Sequence, residues 1–229
     1  MTDIAPFDAI LLAGGKSTRF GSDKAFADWR GQLLYERQLE KLRSLGAEHI
    51  WISANRDQEF RIDDPGVSIV VDDKPEIGPA GGLISVLGKS SAERVVVLGV
   101  DLPLMEVAFL QSLLEAGTGI VPKTREFWEP LAAVYPARSF RELLEEALSR
   151  GERKLQHILD EAKENGLISE RLVTDSEKLF FTNLNSARDL SAIDPNRSDH
   201  GIQLRRFRLD SGFAMPTILL LRRNRSKCK

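Results

Sequence analysis

The chain has 229 residues, 42% of them hydrophobic and 29% charged, with a net charge of −2 at neutral pH. This is the composition of a soluble globular protein, long enough for one sizeable domain against a prior of roughly 150 residues per domain. A lone cysteine, Cys228, excludes an intramolecular disulfide, no apolar run reaches the ~18 residues of a membrane span, and His49, His157 and His200 offer neither metal-ligand spacing nor a triad. The small net charge hides an asymmetry: from Pro195 onward nine basic residues face two acidic ones, leaving 23 basic and 32 acidic residues in the first 194. No basic stretch leads into an apolar core at the N-terminus, so a cytoplasmic chain is expected.

In chain order, the apolar run Phe7–Leu12 reads as a buried strand and runs straight into a glycine-rich loop. Gln32–Leu45 has helical apolar spacing and ends at Gly46, a fitting C′ glycine. His49–Ser53, Val67–Val71 and Arg94–Gly99 are short, Ile- and Val-rich strand patterns. Ala80–Gly88 and Glu106–Ala116 are helical. Alternating strands and helices predict an α/β fold, a Rossmann-like three-layer sandwich with a mostly parallel central sheet and helices on both faces. Further along, Ile120-Val121 and Leu131–Tyr135 are strand candidates, Phe140–Ser149 and Arg153–Lys163 helices, Leu179–Thr182 a late strand, and Ser186–Ile193 a short capped helix. The expected organisation is one domain over residues 1–194, with a nucleotide half over about 1–105 and an acceptor half over about 106–194. Residues 195–229 read as a basic, disordered or loosely packed extension. Its charge also suits a nucleic acid or an anionic membrane, but nucleic acid is not the expected partner.

The loop Leu11-Leu12-Ala13-Gly14-Gly15-Lys16-Ser17-Thr18-Arg19-Phe20-Gly21-Ser22-Asp23-Lys24 carries the strongest chemical signal. Glycines leaving a strand let backbone N–H groups converge on an anion, and Lys16, Arg19 and Lys24 add three cations. Gly15-Lys16-Ser17 is not the end of a Walker A loop, because the first glycine of that pattern would fall on Ile10. Asp101 follows Val95-Val96-Val97-Leu98-Gly99, and Leu102-Pro103 turns the chain at once. Ligands of parallel sheets bind beyond the carboxyl ends of the strands, so Asp101 and the glycine loop should share one crevice. A carboxylate there suits Mg²⁺, which takes one or two carboxylates plus substrate phosphates; a turn or helix-cap role is the plainer alternative.

The loop resembles the signature L-A-[GA]-G-x-S-x-R-[MF]-G-x-D-K of nucleotidyltransferases with the nucleotide-diphospho-sugar-transferase fold. Its Leu12-Ala13-Gly14-Gly15 version is similar to that of the molybdenum cofactor guanylyltransferases, whereas relatives that use CTP typically carry L-A-A-G. The resemblance continues through Val71-Asp72-Asp73, Gly78-Pro79-Ala80-Gly81-Gly82-Leu83, Gly99-Val100-Asp101-Leu102-Pro103, Glu129-Pro130-Leu131-Ala132-Ala133-Val134-Tyr135 and Asn183-Leu184-Asn185-Ser186, and spans about residues 5 to 193. It implies transfer of GMP from GTP to the terminal phosphate of molybdopterin, with Mg²⁺ on Asp101. Arg19, Lys24 and Asp101 would be catalytic. Leu12, Ala13, Gly14, Lys24, Asn55, Asp73 and Asp101 would bind the nucleotide. Gly78, Gly82, Asn183 and Asn185 would face the acceptor. Proteins that deliver the cofactor, and molybdoenzymes that receive it, are the implied partners.

Several readings stay open at this point. Asn55 can read a base or ribose, or close an Asx-turn. Trp128 can be a core residue or a stacking surface for a pterin. Relatives usually read G-P-L-A-G where this chain has Gly78-Pro79-Ala80-Gly81-Gly82, a departure that would loosen the turn. At the level of function, a cytidylyltransferase on the same cofactor, a sugar-phosphate nucleotidylyltransferase, and a nucleotide-binding scaffold without turnover are the alternatives.

Overall fold

The computed structural model describes residues 4–14 and 23–183. The elements run in the order β1 (Asp8–Leu12), β2 (Asp28–Trp29), β3 (Gln32–Leu33), α1 (Leu34–Ser44), β4 (Ile50–Ala54), β5 (Val67–Val71), α2 (Pro79–Leu87), β6 (Arg94–Gly99) and α3 (Val107–Ala116). They continue with β7 (Ile120–Lys123), β8 (Ala132–Pro136), α4 (Ala137–Ser149), α5 (Leu155–Glu164) and β9 (Ser169–Leu172). Short 3₁₀ turns lie at Lys24–Phe26, Pro75–Ile77 and Lys178–Phe181. The expected helix over Ser186–Ile193 and the basic extension lie outside the described residues.

Seven strands form one sheet in the order β5-β4-β1-β6-β8-β7-β9. β1, β4, β5 and β6 are parallel; β8 runs antiparallel to both β6 and β7, and β9 is parallel to β7. The expected mostly parallel α/β sandwich is therefore present, with a mixed second half. Every residue of β1 and β6 is buried, as strands covered on both faces require. Alternate side chains serve opposite faces. Ala9, Leu11, Val96 and Leu98 pack with α1 and α3 through Leu34, Leu42, Leu110 and Leu113. Ile10, Val95 and Val97 pack with α2, α4 and α5 through Leu83, Phe140, Leu144 and Ile158. The result is three layers.

Two local expectations need correction, and one strand is added. Leu179–Thr182 is not a strand: its residues fall in and after the 3₁₀ turn Lys178–Phe181, because Phe180 and Phe181 turn edge-on to Phe109 of α3 rather than alternating across a sheet. The sheet instead gains β9, a largely exposed edge strand whose sequence Ser-Glu-Arg-Leu has no apolar face to reveal it. The helix expected from Gln32 begins at Leu34, since Gln32 and Leu33 pair with Asp28 and Trp29 across a hairpin with left-handed φ at Arg30 (58°) and Gly31 (78°). Gly46 does end α1 in a left-handed conformation, φ 82°.

The turn at the start of α2 is tight rather than loose. Gly81 is buried, and a Cβ there would collide with Lys74 O and lie 3.1 Å from Asp72 Oδ1. Gly81→Ala gains helix propensity of up to ~1 kcal/mol but overpacks against backbone at about 1–3 kcal/mol. Net destabilisation on the order of 1 kcal/mol is expected, read as a lower urea midpoint; an unchanged or higher midpoint would show that the Asp72–Lys74 loop yields freely.

Glu129, in the turn that leads into β8, donates its N–H to Pro122 O at 2.8 Å. Burial pushes its carboxyl up to about 7. Between the ordinary glutamate value and about 7, the folded chain holds a proton that the unfolded chain releases, so stability falls as pH rises through that window. Urea unfolding at pH 5, 6, 7 and 8 should show this fall, and Glu129→Gln should flatten it. Equal slopes in both proteins would rule the carboxyl out.

Candidate active site

The parallel strands β1 and β6 end level with each other, Leu12 opposite Gly99. Val100 N–H donates to Leu12 O at 3.0 Å, so the glycine loop and the Asp101 turn leave the sheet side by side. Beyond β1, the Ala13 and Gly14 N–H groups both donate to Ser53 O of β4, at 3.0 and 2.9 Å. Gln58 closes the arrangement: its Nε2 donates to Ala13 O at 2.9 Å, and its Oε1 accepts the Asn55 N–H at 2.6 Å. A Cβ on Gly14 would lie 3.3 Å from Asn55 Oδ1. Leu12, Ala13, Gly14 and Asn55 are thus brought together, as expected from the sequence. Gln58 belongs with them but carries no sequence signal, being a polar residue in an unpatterned loop.

Asp101 is placed by a glycine. A Cβ on Gly99 would stand 2.7 Å from Asp101 Oδ1 and 3.1 Å from Leu131 Cβ, so only the bare backbone lets the carboxylate fold back over the strand end. Lys24 reaches it from the other side. Asp23 Oδ1 caps the 3₁₀ turn by accepting the Ala25 N–H at 3.0 Å. The Lys24 Nζ then lies 3.6 Å from Asp101 Oδ2, with the two side chains 15% and 24% exposed. From α1, Gln38 Nε2 donates to Gly99 O (2.9 Å) and Leu102 O (2.8 Å), and Lys41 Nζ donates to Pro103 O (2.7 Å). Burial, with the Arg37 charge next in effect and Glu106 opposing, holds the Lys41 ammonium down to about 8.

The other expected residues are less convergent. Asp73 is exposed beyond β5, whereas its neighbour Asp72 turns inward: its Oδ1 accepts the Lys74 N–H at 2.8 Å. Burial raises the Asp72 carboxyl above its ordinary value, against that hydrogen bond. The sequence offers nothing to choose between two adjacent aspartates once the strand period has ended. Gly78 leads into α2 with φ 74° and open space where a Cβ would be. Gly82 faces into the sheet, where a Cβ would lie 2.5 Å from Ser53 Oγ and 3.3 Å from Leu12 Cδ2; its bareness serves helix packing. Asn183 is exposed at the last described position. Arg19, Lys16 and Asn185 lie outside the described residues. Trp128 is a core residue: it is buried, its Nε1 donates to Asp160 Oδ1 at 2.8 Å, and the Lys123 Nζ stands 4.4 Å from its ring centroid.

Among the described residues, no group of three or more His, Cys, Asp or Glu side chains could enclose a metal. The chemistry of a single strand-end carboxylate, Asp101, with Lys24 Nζ 3.6 Å away, nevertheless fits Mg²⁺, which takes one or two carboxylates and fills the rest of its shell with waters and substrate phosphates. No helix among the described residues is long and apolar enough to cross a membrane.

Residues 9–165 match the MobA-like NTP transferase domain. The chain is 34% identical over 199 residues to a molybdenum cofactor guanylyltransferase from Xanthomonas euvesicatoria pv. vesicatoria, covering 84% of this chain and 97% of that protein. Its fold is similar to that of molybdopterin-guanine dinucleotide biosynthesis protein A from Archaeoglobus fulgidus (TM-score 0.63, 24% identity, 81% of this chain and 95% of that one). It is also similar to that of a 4-diphosphocytidyl-2C-methyl-D-erythritol synthase from Anaerococcus prevotii (TM-score 0.63, 12% identity, 83% and 95%). On this match and this identity, and with a sheet and Asp101 turn of the matching fold, the chain belongs to the MobA-like NTP transferases, nucleotidyltransferases of the nucleotide-diphospho-sugar-transferase fold, within the family of the molybdenum cofactor guanylyltransferases.

Proposed function

We propose that this protein transfers GMP from GTP to the terminal phosphate of molybdopterin, or of its molybdenum-bearing form, releasing pyrophosphate. The observation that carries the reading is the Lys24–Asp101 pair, 3.6 Å apart, with Asp101 just beyond the level ends of β1 and β6. A lysine suited to phosphate and a carboxylate suited to a divalent metal stand within reach of one another there, which supports the reading.

The attacking group is a phosphate monoester whose second ionisation lies near pH 6. At neutral pH it needs no general base. Its oxygen forms a bond to the α-phosphorus as the bond to the β-phosphate bridging oxygen breaks, and pyrophosphate leaves with the electron pair. With no proton to move, the residues contribute position and charge neutralisation. Lys24 is assigned to the triphosphate and Arg19 to the charge at the reacting centre. Leu12, Ala13, Gly14, Asn55 and Asp73 are assigned to the nucleoside end; Gly78, Gly82, Asn183 and Asn185 to the acceptor. Asp101 would hold Mg²⁺, which when bound offsets the charge spread over the triphosphate oxygens. We place this activity in residues 1–194 of a cytoplasmic enzyme, served by proteins that deliver molybdopterin and receive the finished cofactor.

Asp101→Asn and Lys24→Ala should each lower turnover by ~10²-fold or more while the far-UV circular dichroism stays unchanged. Near-wild-type rates in both would refute the assignment. Pyrophosphate release with Mg²⁺ and protein-delivered molybdopterin, assayed separately with GTP, CTP, ATP and UTP, should occur with GTP alone. Release with CTP instead would keep the chemistry and overturn the base assignment.

A further inference from the structure

The inward face of α1 reads Leu34, Tyr35, Gln38, Leu39 and Leu42, and Gln38 is fully buried in it. A buried amide is costly unless its bonding capacity is used. Here it is only half used: Nε2 serves two carbonyls, while Oε1 has no hydrogen-bond partner among the described residues. Nor are those carbonyls otherwise orphaned. Gly99 O also accepts the Leu102 N–H, and Leu102 O accepts the Met105 N–H, at 3.4 and 3.1 Å. A methionine of similar length would fill the space without burying an unbonded oxygen. What the amide adds is a fixed distance between α1 and the turn. Lys41, three residues along the same helix, adds a third hold at Pro103 O. Three carbonyls between Gly99 and Pro103 are therefore gripped from α1, with Asp101 at the centre of the segment.

We propose that Gln38 is a positioning residue for Asp101: by bridging Gly99 O and Leu102 O from α1, it holds the turn so that the Asp101 carboxylate faces Lys24. The proposal rests on the reading of Asp101 as the metal-holding group. Groups that orient a ligand are typically worth 10- to 100-fold in metal affinity or activity, and Gln38 should sit at the lower end because it acts through the backbone.

The test uses the full-length chain with Gln38→Met, Lys41→Met, Leu39→Val as a core control on the same helix, and Asp101→Asn. Mn²⁺ binding to the protein–GTP complex is followed by electron paramagnetic resonance. GTP binding in EDTA, kcat and KM, and thermal midpoints are measured alongside. Gln38→Met should bind GTP in EDTA within about twofold of wild type, while Mn²⁺ affinity and kcat both fall about 10-fold. Lys41→Met should show a smaller fall of the same kind, and keeps the test available if Gln38→Met does not fold. Leu39→Val should lower the thermal midpoint and leave Mn²⁺ affinity unchanged. The proposal is overturned if Gln38→Met, or Lys41→Met in its place, keeps Mn²⁺ affinity and kcat within twofold, or if Leu39→Val reproduces the losses. Undiminished Mn²⁺ binding in Asp101→Asn would overturn it from beneath, by removing Asp101's own assignment; loss in Asp101→Asn without loss in Gln38→Met would overturn the positioning role alone.

Discussion

The alignment of two parallel strands governs the candidate site. Leu12 and Gly99 stand opposite each other at the ends of β1 and β6, and the Val100 N–H donates across to Leu12 O. On one side of this pair the order continues to β4 and β5; on the other it continues to β8. Chains leaving such a switch point diverge, and the crevice between them is where open α/β sheets bind ligands. Ala13 and Gly14, the Asp101 turn and the Ser53–Asn55 end of β4 meet there, Ala13 and Gly14 N–H both donating to Ser53 O. A one-residue slip of β6 against β1 would turn Asp101 toward the opposite face and part it from Lys24.

The electrostatics of the pair suit exchange of partners more than stability. Two unit charges 3.6 Å apart attract by about 5 kcal/mol at an effective dielectric of ~20, but both side chains are largely withdrawn from water, which offsets most of that gain. On the proposed function, each group has a better partner available in the substrate complex: phosphate oxygens for Lys24, a divalent cation for Asp101. The surrounding backbone is tied at several points. Gly99 leaves free the space that a Cβ would take from the Asp101 carboxylate, α1 grips the turn, and Gln58 ties Ala13 to Asn55.

Much of this was legible in the amino-acid sequence, for identifiable reasons. β5 and β6 have the ends the sequence predicts because their Ile- and Val-rich stretches stand between clear punctuation, Gly66 and Asp72 around β5 and Arg94 and Gly99 around Val95–Leu98. Gly46 was read as a helix terminator because a left-handed residue there favours glycine. That Asp101 and the loop carrying Lys24 share one crevice follows from both leaving strand ends; the 3.6 Å approach of Lys24 Nζ to Asp101 is what the structure adds. What escaped had no periodic or conformational signature. β9, Ser-Glu-Arg-Leu, carries one apolar residue, Leu172, and that one is exposed. Gln58 and Gln38 act through single side-chain amides on backbone carbonyls far away in sequence, 45 and 61 or 64 residues distant. Asp72 and Asp73 differ only in which one turns inward. The late aromatic pair Phe180-Phe181 mimicked a strand because aromatic residues favour strands as well as cores.

The reversed strand explains how motifs so far apart in sequence reach one edge. β8 runs antiparallel to β6, so its beginning, not its end, lies beside Asp101: Gly99 N–H donates to Leu131 O at 2.7 Å. The Glu129-Pro130-Leu131 segment thereby enters the region from the start of a strand, whereas the glycine loop and the Asp101 turn enter from strand ends. β7 is antiparallel to β8 and so parallel to β6, which brings the connection from Lys123 to Ala132 to the same edge. β9, parallel to β7, also finishes there, and the chain passes from it through the Lys178–Phe181 turn against α3 to Asn183. A wholly parallel second half would have delivered strand starts to the far edge and left Leu131 on the wrong side of the sheet. One reversal is enough to bring the start of β8, the β7–β8 connection and the end of β9 to the edge where β1 and β6 end, with Leu131 hydrogen-bonded beside the Asp101 turn.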